Sequence, residues 1–377
     1  MFSRKQKFIF CFILGVILFI PISTQAVWSQ AADFFVDSTF DLYGRDRIET
    51  QLLKTTNQIY FYADKNWYQN FTQKNDLDNK IYNLASNFEY SIYPKLTNLL
   101  ETEDLPGIDN DNRIVILIHP LKDNYGGYIR SGDNYSKQKY QFSNEGQIIY
   151  LNSNLLLKAD LNFLNYELAH EFAHLITLKQ KPDAPTWFYE LISEFAGQIS
   201  SNDATITQKR AQGLLYSSEI NFSDWQNSEK DYGKIYLFTL YLKEQFGENL
   251  FAEALKYPSA DGITSFNEAL KKYHTNFDDA LLNWLITVLY NTCSDNNLKY
   301  CYQNLALNNY SIIPYIYYLP MQQKSSLSVT DSLKALSGKW QKVNGGLGTI
   351  ELKFSIPEQT PITKIPYITQ DSQGKKI

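Results

Sequence analysis

Five consecutive residues could do chemistry together: His170-Glu171-Phe172-Ala173-His174. Residues four apart on a helix face the same way, with Cβ atoms about 6 Å apart, so both imidazoles can reach one metal ion. Glu171 follows His170 by one position. It is rotated about 100° around the helix axis and points beside the metal rather than at it. A carboxylate there can hold and deprotonate a metal-bound water, and zinc lowers the pKa of that water toward neutrality.

A catalytic zinc needs a third protein ligand and one open position. No further His stands at a suitable spacing: position 177 is Thr, position 180 is Gln, and His119 and His274 lack ligand spacing. A carboxylate is therefore the expected third ligand. Glu190 and Glu194 lie four apart on one face of the next predicted helix. One can bind the metal while the other accepts a hydrogen bond from a ligand histidine and fixes its tautomer. A helix carrying Leu168, Phe172 and Leu175 is by itself also an ordinary core helix. The downstream Glu pair, the strand-rich stretch before the motif and a secretory start weigh toward chemistry.

That start is read from Arg4, Lys5 and Lys7, an apolar run from Phe8 to Ile22, and Ser23-Thr24-Gln25-Ala26. It has the layout of a signal peptide cleaved after Ala26, which places the protein outside the cytoplasm. The alternative is an uncleaved N-terminal anchor, and only then is a membrane a partner. Cys11 leaves with the signal. Cys293 and Cys301, with seven residues between them, are expected to form a local disulfide, worth roughly 2–3 kcal/mol by chain entropy. The net charge of −5 without a basic stripe argues against nucleic acid as a partner.

The elements that must position the motif follow from hydrophobic periodicity. Residues 27–56 give no clear pattern. Gln58 to Ala63, Arg113 to His119 and Gln147 to Leu151 read as strands, the second as a buried central one. Leu77 to Leu100 reads as one long amphipathic helix strained by Pro94. Gly126 to Arg130 reads as an exposed strand, and Asp160 to Leu178 as the motif helix. Helices are then expected at Trp187–Ile199, Gln208–Tyr216, Asp231–Phe246, Asn249–Tyr257, Gly262–Tyr273 and Asn276–Tyr290. From Leu327 the chain reads as strands and turns, ending in a strand, the turn DSQG and the first residues of another strand. The expected class is α+β. Its parts are the signal peptide (1–26), an α/β lobe with the motif helix (27–180), a helical lobe (181–305) and a small β region (325–377), which is expected either to end in a short edge or to be incomplete.

On these residues the chain resembles the gluzincin metallopeptidases, the group of thermolysin and the membrane alanyl aminopeptidases. There the motif helix is followed by a second helix bearing the third ligand in a Trp-x-x-Glu-Gly-x-x-Glu type run. Trp187-Phe188-Tyr189-Glu190 is similar to its first half, with Leu191 where Gly is usual. The resemblance implies His170, His174 and Glu190 as zinc ligands, Glu171 as general base and Glu194 as the supporting carboxylate. Tyr232-Gly233-Lys234-Ile235 resembles the aminopeptidase Tyr-x-Lys-Gly pattern, which implies Tyr232 as the oxyanion-stabilising hydroxyl. The Gly-x-Met-Glu-Asn strand that captures a free N-terminus has no counterpart. The resemblance thus implies an endopeptidase acting on peptides or proteins, with Gly126 to Arg130 as the strand that pairs with substrate. The alternatives are an exopeptidase and a non-catalytic surface binding protein with a vestigial site.

Overall fold

The computed structural model describes residues 30–123, 125–201, 203–222, 224–293, 298–346, 351, 353–355, 365–371 and 374–376. The signal segment, Cys11 and most of the run GTIELKFSI lie outside them. The architecture is α+β: a mixed six-stranded sheet followed by a helical part.

The sheet begins where periodicity was silent. Ala31–Phe35 (β1) and Arg47–Thr55 (β2) form an antiparallel pair, and β2 pairs antiparallel with Ile59–Asp64 (β3). The sequence RIETQLLKT of β2 carries charge on one side and is half-exposed along its second half, so no apolar run marks it. After β3 come Lys65–Asn70 (α1) and Lys74–Asn87 (α2). The helix expected to run unbroken to Leu100 changes winding instead: residues 88–92 form a π-helical turn before Tyr93–Leu100 (α3), with Pro94 in its first turn. Proline has no N–H and collides with the preceding turn, and the wider winding accommodates it.

Ile114–His119 (β4) and Ile148–Asn152 (β6) continue the sheet parallel to β3, and Gly127–Ile129 (β5) pairs antiparallel with β6 at the end of the sheet. The strand order is β1-β2-β3-β4-β6-β5. The three central strands are buried throughout, because each face meets a core. Ile59, Phe61, Ile116, Ile118 and Ile149 point toward the helices, while Tyr60, Tyr62, Leu117 and Tyr150 pack with Phe34, Ile48 and Tyr128 on the other face. This period of two is what a strand requires.

Ser153–Lys158 (α4), a short helix that the sequence reading did not expect, leads into Leu161–Gln180 (α5), the motif helix. Asp160 caps α5, its side chain accepting from the Phe163 N–H at 2.9 Å, a typical stop for an otherwise unpaired donor. Then come Thr186–Ser200 (α6), Ala204–Leu214 (α7), the short strand Glu219–Asn221 (β7), Glu229–Phe246 (α8), Asn249–Lys256 (α9), Gly262–Leu270 (α10) and Phe277–Tyr290 (α11). Ser228 and Asp231 form a reciprocal capping box at α8, and Gly247 ends it with φ +81°. One apolar cluster runs from the helix-facing side of the sheet through α5, α6 and α8 to Trp284 and Trp340.

The Cys293 and Cys301 Sγ atoms lie at bonding distance, with Cα atoms 5.2 Å apart. Tyr315–Leu319 (β8) pairs in parallel with Gln341–Gly345 (β10), and Ser337–Lys339 (β9) pairs antiparallel with β7. Neither β7 nor β8 was expected. Thr369–Asp371 (β11) and Gly374–Lys376 (β12) form an antiparallel pair where a strand, a turn and a strand were read. No described helix is long and apolar enough to cross a membrane.

Candidate functional site

The site sits where α5 crosses in front of edge strand β5 and α6 returns beside it. Two devices hold α6 there. Lys181, buried just after α5, donates to the carbonyls of Tyr257 and Ser259 and to Ser265 Oγ, and the Tyr189 hydroxyl donates back to the Lys181 carbonyl at 2.8 Å. Trp187 drives its indole among Phe188, Phe266 and Phe277. The tryptophan of the recognised run is therefore an anchor that sets where the following Glu190 emerges.

His170, His174 and Glu190 converge. Each offers one ligand atom, and these atoms all lie within 4.8 Å of one another. Glu190 Oε2 is 3.4 Å from His170 Nε2, Glu190 Oε1 is 3.9 Å from His174 Nε2, and the two rings stand nearly perpendicular with centroids 4.9 Å apart. Burial pushes both imidazoles down to about 4, so at neutral pH each keeps a free lone pair for a metal. Burial also raises Glu190, against the pull of His174 and Arg210. His170 Nδ1 and Glu190 Oε2 are buried atoms with no hydrogen-bond partner. Two neutral imidazoles and a carboxylate aimed at one point, with polar atoms left over, fit a divalent cation.

Glu171 stands beside this group, 4% exposed, with Oε2 unpartnered. Burial, reinforced by the carboxylates of Glu167 and Glu190, pushes its pKa well above the ordinary carboxylate range. Its side chain lies against Gly127 of β5: a Cβ added there would meet Glu171 Cγ at 2.9 Å. Only glycine lets the edge strand and the base approach this closely.

Glu194 belongs to a different set of contacts from the one expected. It makes no hydrogen bond to a histidine. Its Oε2 accepts from the Tyr166 hydroxyl, and its Oε1 is 3.1 Å from the Arg210 guanidinium. Gly197 makes this possible, since a Cβ there would strike the Tyr166 ring at 2.6 Å. Tyr166 precedes His170 by one turn, with ring centroids 6.4 Å apart. The Tyr166–Glu194–Arg210 set thus backs the histidine from behind without touching its nitrogen. Tyr166 and Arg210 were not identified from sequence. Tyr166 was accessible to the same four-residue spacing that placed His174, whereas Arg210 lies on α7, too distant in sequence to carry any signal.

Tyr232 lies at the start of α8 under the Arg210 guanidinium, 4.7 Å from ring centroid to carbon, and its hydroxyl donates to Asn227 Oδ1 at 2.6 Å. Burial raises its pKa strongly, with further upward pressure from Glu190 and Glu171. It is therefore a protonated donor whose environment includes the site carboxylates. Compared with known proteins, the chain matches no protein-family model and no curated sequence.

Proposed function

We propose that this chain is a zinc-dependent metalloendopeptidase of the gluzincin type that acts outside the cytoplasm. One observation carries the reading: three ligand atoms within 4.8 Å of one another, beside a buried glutamate that has a free oxygen and packs against the last strand of the sheet. His170, His174 and Glu190 would hold the ion. When bound, zinc supplies a Lewis acid for the peptide carbonyl and makes water acidic near neutral pH.

The chain's own residues do the rest. Glu171 takes a proton from the attacking water on its free carboxylate oxygen and returns it to the departing amine nitrogen. Burial raises its pKa, which makes the carboxylate a stronger base once a neighbouring cation keeps it ionised. The unpaired side of β5 offers backbone N–H and C=O groups to an extended peptide, which positions the scissile bond beside Glu171. Tyr232 would turn its hydroxyl from Asn227 to the oxyanion. Tyr166, Glu194 and Arg210 fix the wall behind His170.

The test pairs metal analysis with casein digestion for wild type and Glu171→Gln. About one zinc per chain in both proteins, with digestion lost in the variant, is the expected result. Absence of bound metal ends the proposal. Zinc retained with no digestion by wild type moves the chain to the non-catalytic alternative.

A further inference from the structure

Where α5 packs on β5 there is one group that the reaction above does not use. Glu167 precedes Glu171 by four residues and shares its helix face. Its carboxylate lies against Gly126, where an added Cβ would overlap Glu167 Oε2. Gly126, just before β5, and Gly127, its first residue, are thus each met by a carboxylate of the motif helix, and both must lack a side chain for this to happen.

Glu167 is half-buried and forms no hydrogen bond or ion pair with any described residue. Burial pushes its carboxyl up to about 7 against the pull of Arg210, whose guanidinium pairs with Glu194 instead. Glu171, one turn along the same helix face, is nearly fully buried and keeps a free oxygen. Four residues of helix advance about 6 Å and an extended peptide about 3.4 Å per residue. A peptide seated on β5 with its scissile bond at Glu171 therefore passes Glu167 within about two residues.

We infer that Glu167 is a specificity-determining residue, which receives a cationic group of the substrate, an ammonium or a guanidinium, within about two residues of the bond cleaved. An uncompensated carboxylate beside the substrate path favours an opposite charge and disfavours an acidic neighbour. The cation has two sources, a Lys or Arg side chain inside the peptide or a free N-terminal amine. The inference rests on the peptidase reading, and the experiment separates the two.

The probes are Ala-based octapeptides carrying one Lys, Arg or norleucine at each position, each with a free and an acetylated N-terminus. Their affinities are measured by calorimetry on zinc-loaded Glu171→Gln, which binds without turnover, and on the E167Q/E171Q double variant. Cationic peptides are expected to bind Glu171→Gln about tenfold tighter than their norleucine counterparts, with the difference falling within about twofold in the double variant. A preference that follows the side chain through acetylation identifies Lys or Arg. One that disappears on acetylation identifies the amine. No preference in Glu171→Gln, or one that survives in the double variant, overturns the inference. Thermal melting checks the fold, and Glu167→Lys on the E171Q background gives a second reading, since it should turn the preference toward acidic peptides. Wild-type cleavage of the same peptides tests the parent reading separately: preferential binding without cleavage removes the peptidase and keeps the subsite, whereas cleavage without preference removes the subsite alone.

Discussion

His119 with Asp41, Arg45, Asp64 and Tyr128 on one face of the sheet, and His170 with His174, Glu171 and Glu190 on the other, use the same residue types at similar depth. In the first cluster every group is answered. His119 Nδ1 donates to Asp41 Oδ2 at 3.1 Å, and its Nε2 accepts from the Tyr128 hydroxyl at 3.2 Å. That hydroxyl accepts from the Asp37 N–H, and Arg45 spans Asp41 and Asp64 at 2.8 and 2.6 Å. In the second cluster His170 Nδ1, Glu171 Oε2 and Glu190 Oε2 are buried and unanswered. Folded chains rarely leave buried polar atoms idle. A closed network is a piece of architecture, whereas an open one keeps donor and acceptor capacity that no neighbour in the fold uses.

The contrast can be broken at several points. Its sharpest edge is Glu171→Gln, which should lower the rate of peptide hydrolysis at least about a thousandfold while leaving the melting temperature unchanged. A variant that stays active would make the open cluster mere packing.

Asp41→Asn should do the converse. It is expected to cost about 3 kcal/mol in a urea titration, because Arg45 loses a buried counter-charge and His119 the carboxylate that accepts from its Nδ1–H, with bound metal per chain unaffected. Burial alone would raise the Asp41 carboxyl, but hydrogen bonds from His119 and Arg45 outweigh it and hold it well below its ordinary value of 3.8. Its contribution is therefore complete above pH 3.8 and fades as pH falls toward the depressed value.

Chelation addresses the open cluster from the ligand side. Stripping metal from wild type should lower stability by about 2–3 kcal/mol relative to protein held at a hundredfold excess over its dissociation constant. Glu190→Ala should show little of that difference. An equal response in both proteins would place the metal elsewhere.

Glu103 offers the smallest contrast, a buried carboxylate with incomplete compensation and no cleft. Burial raises it from 4.5 to about 7, partly offset by the Tyr93 hydroxyl and the Lys179 charge. The unfolded chain releases this proton first, so its contribution to stability is full below pH 4.5, declines up to about pH 7 and is flat above. Glu103→Gln should erase that slope and gain about 2 kcal/mol at pH 8, read from melts across pH.

Much of the site was legible because its pieces obey helical spacing. His170, Glu171 and His174 lie on one helix, and Glu190 opens the next, after an anchor that Trp187 makes visible. The central strands Ile114–His119 and Ile148–Asn152 announce themselves as apolar runs because both their faces are covered. What stayed hidden depends on distant partners. Glu194 was expected to orient a histidine, yet Arg210 and Tyr166 claim it, and that choice is made by helix packing at Gly197. The strands Arg47–Thr55, Glu219–Asn221 and Tyr315–Leu319 carry mixed or exposed residues, so their pairing is decided by the neighbouring strand rather than by their own pattern. The helix around Pro94 was found but drawn too straight, since periodicity reads the apolar face and is blind to a change in winding.

Trp340 bears on how this molecule can be dissected. Its indole is buried against the last long helix and donates to the Leu285 carbonyl at 2.8 Å, while its backbone N–H donates to the Ser218 carbonyl at 2.8 Å. Gly338 packs directly on the Leu285 side chain. A fragment cut at residue 305 would carry every candidate site residue yet expose this apolar seat, and is expected to aggregate when expressed. A fragment extended through residue 345 keeps the plug and is the shorter piece to crystallise.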